Sequence, residues 1–363
     1  MKNSIKLAAI GDIMCGDSFF SIGTGGGSKI DVYGKSFLRA DICDFLQQHD
    51  IVMCNLESVL SDLERNDNSI RSLHMRGRSK YASYLHDWGI NIANVANNHI
   101  LEHGIDAAVD TVKNLQSAGI KVVGAGGLGA FKAGMQTVTI SKSEDIVIIG
   151  ACFHNGPYSF NGGLEKEPLL QAIRTLSTMG NTVIVTVHWG DDYMVRPSLE
   201  QRRIGAELRV AGATAVIGHH PHVIQGIDYE EGHIIAYSLG NFIFNTLQID
   251  TRWSVILSLE IKNKKVLRWD YHVVDIDADY RPLFAKGEKK KLLQQKVIKR
   301  CEMIKGCYED QAYRSQYDAE RKVIIANARR RLKRTLLKRV LSYKPKFLIQ
   351  ILSRPIKRRI GLW

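Results

Sequence analysis

Seven short β-rich runs set the first constraint on this chain. IKLAAI, IVMCN, NIANVA, IKVVG, IVIIG, TVIVTVHW and TAVIG are strand-length segments, and most of them stop at a polar or glycine residue. Between them, SFLRADICDFLQQ, GIDAAVDTVKNLQSAG and SLEQRRIGAELRVAG carry helical spacing, and the last two close on glycine. From Gly232 to Val274 the pattern is all strand: HIIAYS, WSVILSLEI and VLRWDYHVV. Strands that are almost continuously apolar need cover on both faces. The predicted class is therefore α/β, with buried sheets flanked by helices. No internal repeat is evident.

Composition narrows the class further. With 363 residues, 45% of them hydrophobic, the chain can fill one large core or two smaller ones. It lacks the run of about 18 apolar residues that a membrane-spanning helix requires. The opening MKNSIKLAAIGDIM has only a short apolar stretch and no small-residue cleavage site, so no secretory signal is expected. Six cysteines form no CxxC pair and no disulfide framework. A reducing, cytoplasmic setting is the expectation.

The net charge of +13 is unevenly spread. From Lys286 onward there are 24 lysines and arginines against 6 acidic residues; the preceding 285 residues carry 26 against 31. A mildly acidic body, 1–285, thus precedes a basic, mainly helical extension, 286–363. In RLKRTLLKRVL, residues Leu332, Leu336, Leu337, Val340 and Leu341 share one helical face with cations on the other, before FLIQIL and RPIKRRIGLW. Three uses are open: an interfacial helix at an anionic membrane, docking on the body or a partner protein, and a nucleic-acid arm, the least favoured. The first would make the protein peripheral at the inner membrane face.

Five strand ends carry metal-ligating side chains. They are Gly11-Asp12, Asn55-Leu56-Glu57, Asn97-Asn98-His99, His188-Trp189-Gly190 and His219-His220-Pro221-His222. Loops at the carboxyl ends of α/β strands converge on ligands. Any one of these stretches alone is an ordinary turn, cap or satisfied histidine; five in chain order point to one site. Carboxylate, amide and imidazole donors, with no thiolate required, favour Mn, Fe, Zn or Mg. Six or more candidate ligands are too many for one tetrahedral ion. They predict two divalent metal ions about 3.5–4 Å apart, bridged by a carboxylate and a water. Such a pair brings the water's pKa towards neutrality and clamps the attacking and leaving oxygens of an in-line displacement. Phosphoester hydrolysis is the reaction most naturally served.

The set GDIMCG, NLES, ANNHILEHG, HWGDDY, IGHHPHVIQG and YSLGNFIF resembles the capsule-synthesis CapA (poly-γ-glutamate capsule) family, a family that looks like a branch of the calcineurin-like metallophosphoesterases. The likeness spans roughly residues 5 to 245, and the order HWG…GHHPHV…YSLGNF is highly specific. It implies a four-layer αββα sandwich with a dinuclear site at one edge. By position, Asp12 matches the first metal ligand. Glu57, or Asn55 beside it, matches the bridging carboxylate. Asn98 matches the amide ligand, and His99 the proton donor to the leaving oxygen. His188 matches the single-histidine ligand, and His220 and His222 the His-x-His pair that gives one nitrogen to each metal. An extended segment would point both of these rings the same way.

The sequence departs from the pattern in places. Met14 stands where calcineurin-like enzymes have a histidine, and NLES offers Asn and Glu where they have an aspartate. Asp192 replaces a glutamate of the CapA pattern, and Glu102 an aspartate; both acids read as partners of imidazole rather than ligands. Many family members carry an N-terminal membrane anchor, which this chain is expected to lack. His219 reads as a spacer or substrate contact, and Asn241 as a turn-holding side chain or site contact. His74, His86, His103 and His233 read as surface or structural. SIGTGGGSKIDVYGKS fails the Walker spacing and reads as a mobile glycine-rich loop near Asp12.

The expected function is a metal-dependent, CapA-type hydrolase or transferase in the biosynthesis of an anionic surface polymer, such as poly-γ-glutamate or capsular polysaccharide. Its substrate would be that polymer or a phosphoester, and its tail would engage an anionic membrane or capsule-assembly proteins. A general phosphoesterase, and a non-catalytic assembly or polymer-binding factor that keeps a metal for structure, are the alternatives.

Overall fold

The apolar runs find their cover in two stacked sheets. The computed structural model describes residues 4–126, 135–141, 144–163, 165–245, 248–306, 311–339, 343 and 345–350. The strands of the first half are β1 (Ile5–Ile13), β2 (Ile51–Leu56), β3 (Val59–Leu60), β4 (Arg76–Gly77), β5 (Ile92–Asn94), β6 (Lys121–Val123), β7 (Met135–Ser141) and β8 (Glu144–Cys152). Then come β9 (Thr182–His188), β10 (Ala215–His219), β11 (Ile227–Glu230), β12 (His233–Ala236), β13 (Asn241–Ile243), β14 (Trp253–Lys262), β15 (Lys265–Ile276) and β16 (Pro282–Phe284). The helices are α1 (Gly26–Tyr33), α2 (Ala40–Leu46), α3 (Ile70–Leu73), α4 (Tyr81–Asp87), α5 (Gly104–Ser117), α6 (Lys166–Thr178), α7 (Leu199–Ala211), α8 (Gly287–Glu302) and α9 (Gln311–Arg339).

Among the described residues, one sheet has eight strands, ordered β16-β15-β14-β1-β2-β5-β6 with β13 joined to β1. The other has six, ordered β11-β12-β10-β9-β8-β7. Strand parity sorts the side chains into layers. On β1, Leu7 and Ala9 enter the core between the sheets, while Ala8 and Ile10 join the core under the helices. On β9 and β10, Ile184, Ala215 and Ile217 face the first sheet, and Val183, Val185 and Val216 face outward. Ile42, Leu46, Leu85, Val112 and Leu115 of α2, α4 and α5 seal one outer face. Leu169, Ile173, Ile204 and Leu208 of α6 and α7 seal the other. Each fully buried aliphatic side chain contributes about 1.5–3 kcal/mol. The four-layer αββα sandwich is therefore the fold.

Local signals hold where expected. Ser198 caps α7 with a reciprocal bond to Gln201, and Gly212 closes it at φ 108°. The glycine-rich stretch is not the mobile loop its sequence suggests. It forms α1, with the Gly26 amide donating to Asn245 Oδ1 (2.6 Å) and the Gly27 amide to the Gly16 carbonyl (3.0 Å). Gly218 on β10 is needed for close approach, since a Cβ there would lie 2.0 Å from the Tyr237 carbonyl oxygen. Gly218→Ala should cost about 3 kcal/mol, read as a lowered urea midpoint. An unchanged midpoint would mean that the chain at Tyr237 yields freely.

The basic extension packs on the body at several points. Leu293 and Val297 of α8 enter the core between the sheets. Tyr313 and Tyr317 of α9 are buried, and Tyr343 and Phe347 pack with Ile22 and Ile70. Between these contacts, residues 322–338 are mostly exposed, with Leu337 at 66%. Val340 and Leu341 lie outside the described residues. No described helix is long and apolar enough to cross a membrane.

Candidate metal centre

The carboxyl ends of the parallel strands bring the five stretches to one edge. Asp12 closes β1, in register with Asn55 on β2 and with Asn241 on β13. Glu57 follows β2, its amide donating to the Ile13 carbonyl (2.8 Å). Asn97 ties its turn to β2 through the Leu56 carbonyl (2.8 Å) and accepts from the His99 amide (3.0 Å). That places Asn98 and His99 beside Glu57. From the other sheet, His188 and His219 are register partners at the ends of β9 and β10.

The side chains converge on Glu57, which has no exposed surface. Its Oε1 lies 3.5 Å from His222 Nε2, 3.9 Å from His188 Nε2 and 3.9 Å from His99 Nε2. Asp12 Oδ2 lies 3.3 Å from His222 Nδ1 and accepts from the His220 amide at 3.3 Å. Three clusters each bring ligand atoms within 4.8 Å of one another: Glu57, His188 and His220; Asp12, Glu57 and His222; Asp192, His220 and His222. The first two share Glu57 and divide the two histidines flanking Pro221 between them. Asn98 Oδ1 sits 2.9 Å from His188 Nε2.

Residues 6–246 match the family profile of the bacterial capsule synthesis protein PGA_cap. The chain belongs to this family. It is 25% identical to the capsule biosynthesis protein CapA of Bacillus anthracis, over 81% of this chain and 73% of that one. It is 26% identical to the PGA biosynthesis protein CapA of Bacillus subtilis, over 81% of this chain and 76% of the other. A probable polyglutamine synthesis accessory protein of Mycobacterium tuberculosis is 28% identical over 42% of this chain and 45% of its own length.

In this PGA_cap protein the electrostatics suit a cation. Burial alone would push the Asp12 carboxyl up, but the His219 and His222 rings hold it well below the usual range. Burial pushes Glu57 well up, and the nearby His222 only partly opposes this. Burial and the His220 ring drive His188 well down, and burial above all lowers His220 to about 4. His222 is raised to about 10, because Glu57 and Asp12 outweigh its burial. A metal takes neutral imidazoles and ionised carboxylates. His188, His220 and Asp12 are shifted towards those states, and binding would displace a proton from His222 and from Glu57. Glu57 Oε1 and His220 Nδ1 are buried without a hydrogen-bond partner. A buried unpaired carboxylate oxygen is expensive, and a divalent cation between these atoms would satisfy it. These donors fit such an ion.

The surrounding residues separate cleanly. Glu102 takes His99 Nδ1 at 2.7 Å, so the ring turns Nε2 towards Glu57. Asn55 donates to Asp12 Oδ1 (2.9 Å) and stands 3.5 Å from Glu57 Oε2, a tether between the two acids. Asn241 holds His222 Nδ1 at 2.9 Å and the Thr251 carbonyl at 2.9 Å, which joins its turn-holding and site-contact readings. Asp192 is 56% exposed, with Oδ1 3.7 Å from His222 Nε2 and 4.0 Å from His220 Nε2. His219 is no spacer: it is buried, with Nδ1 3.1 Å from Asp12 Oδ1 but off the hydrogen-bonding direction. Met14 is buried with Met75 and Phe244, an apolar wall in the histidine's place.

Two expectations need correction. His220 and His222 do not lie on an extended segment: their φ angles are +94° and +59°, both left-handed. A tight turn after β10, held by the donation from the Tyr193 amide to the Pro221 carbonyl (2.8 Å), aims the rings instead. Such backbone is strained for non-glycine residues and persists where the surroundings demand it. His74, read as surface or structural, stands at the rim of the site, 3.5 Å from Glu102, lining a cavity of about 160 Å3 with His99 and His222. His154 had no motif to mark it, yet its ring lies 4.5 Å from that of His220. Its one sequence signal was its place two residues beyond β8.

Proposed function

We propose that this protein is a metal-dependent hydrolase of a phosphoester-like bond, acting in the synthesis of poly-γ-glutamate or a related anionic surface polymer. The observation that carries this is the pair of overlapping clusters sharing Glu57, one with His188 and His220, the other with Asp12 and His222. Asp12, Glu57, Asn98, His188, His220 and His222 would hold two divalent ions. When bound, those ions would supply an activated water and charge neutralisation at the reacting phosphoryl group. The chain's own residues do the rest. Asn55 ties the Asp12 and Glu57 carboxylates to one amide nitrogen and orients them. Asn241 fixes which His222 nitrogen faces Asp12. His99, anchored through Nδ1 by Glu102, presents Nε2 as the atom from which a proton passes to the leaving oxygen. The body, 1–285, would carry the chemistry, and the extension, 286–363, would serve it. The tail's anionic partner would be a membrane surface or a capsule-assembly protein.

The buried Met14 favours a second reading, in which the metal is kept for structure and the protein is a non-catalytic assembly factor. Metal analysis and a p-nitrophenyl phosphodiester assay with Mn2+ separate the two. The hydrolase reading expects about two equivalents of metal per chain and turnover that is lost in His220→Ala. Bound metal with no turnover on any ester would leave the assembly factor standing.

A further inference from the structure

The loop between β9 and α7, residues 189–198, is gripped from two sides. On the body side, the Trp189 amide donates to the His219 carbonyl (3.2 Å) and the Tyr193 amide to the Pro221 carbonyl (2.8 Å). Gln225 Nε2 reaches the Met194 carbonyl (2.7 Å). On the other side stands α9. Tyr313 donates its hydroxyl to the Pro197 carbonyl (2.6 Å), and Arg196 stacks on the Tyr313 ring at 5.0 Å. Tyr317 donates to Asp191 Oδ2 at 2.7 Å, and Arg321 Nε reaches the same oxygen at 3.0 Å. The next residue is Asp192, whose carboxylate faces His220 and His222.

We propose that the basic C-terminal helix is a positioning element of the metal centre. Tyr317 and Arg321 fix Asp191, and the backbone carries that constraint one residue to Asp192 and through Tyr193 to the turn bearing His220 and His222. The left-handed backbone of that turn needs such outside support. The same helix walls a cavity of about 440 Å3 that reaches His154 and Gly190, with Arg314, Tyr317 and Asp318 lining its far side. Substrate entering beside His154 would therefore meet α9. This role rests on the metal reading above, because Asp192, His220 and His222 are its targets.

Two measurements on the full chain test it. The first is amide hydrogen exchange of metal-stripped protein, over peptides covering 189–198 and 219–226. The second is Mn2+ affinity by calorimetry. Tyr317→Phe/Arg321→Ala should speed exchange in both segments and weaken Mn2+ binding about tenfold, the loss typical when support of a ligand is removed. Arg321→Lys should keep most of the affinity. Arg330→Ala/Arg331→Ala, on the exposed part of the helix, should change neither readout. Tyr317→Phe alone removes only a hydroxyl and keeps the reading if the double variant does not fold. Unchanged exchange overturns the clasp, and faster exchange with unchanged Mn2+ affinity overturns its link to the metal. Wild-type protein that takes up no Mn2+ overturns the metal reading itself, and the positioning role with it.

Discussion

Glu57→Gln is expected to hold no more than one Mn2+ per chain and to gain little thermal stability from the metal. The glutamine keeps the shape of the side chain but loses the charge on which both clusters converge. Wild type at a metal concentration a hundred times its dissociation constant should gain about 2.7 kcal/mol from each independent site; the variant forfeits most of this. In EDTA the order reverses. Glu57 is buried with Oε1 lacking a hydrogen-bond partner, and His222 at 3.5 Å offsets only part of that cost. Burial pushes the Glu57 carboxyl well up, so folding at neutral pH must protonate it at a cost that glutamine avoids. The stripped variant should therefore be more stable by about 1 kcal/mol. Melting curves with EDTA and with Mn2+ read both effects. Unaltered Mn2+ content in the variant would remove Glu57 from the site.

His99→Ala should separate metal binding from proton transfer. Metal content should stay at the wild-type level, since the His99 ring is anchored by Glu102 and its Nε2 stands 3.9 Å from Glu57. With an alkyl phosphodiester, whose leaving oxygen needs a proton, kcat should fall about 10²–10⁴-fold. With a p-nitrophenyl ester the loss should be far smaller, because p-nitrophenolate departs without protonation. Equal losses on the two esters would sink the proton-donor role and leave His99 as a ligand or a structural residue. Glu102→Gln should reproduce a milder form of the same leaving-group dependence.

Much of this site was legible in the order of residues. Short apolar runs make buried parallel strands, and parallel strands bring their carboxyl ends to one edge. Asp12, Glu57, Asn98, His188 and His220 could therefore be read as neighbours although up to 208 residues separate them. The pattern failed where side-chain direction depends on individual backbone angles. His220 and His222 face the site through left-handed residues in a turn, a geometry that period-2 alternation does not encode. His154 was silent because a lone histidine beyond a strand end carries no spacing signal.

The sequence by itself determined the α/β class and the donor types gathered at the strand ends, since these follow from hydrophobic periodicity and from which residues terminate the strands. The four-layer arrangement was implied by the family resemblance, and the two stacked sheets bear it out. Only the tertiary structure decided which atoms share Glu57, and how the tail relates to the centre. Composition made the extension a separate basic arm. Folding places its Tyr317 and Arg321 on Asp191, one residue from Asp192. That juxtaposition spans more than 120 residues of chain, and it is set by packing of specific surfaces, for which charge and periodicity hold no record.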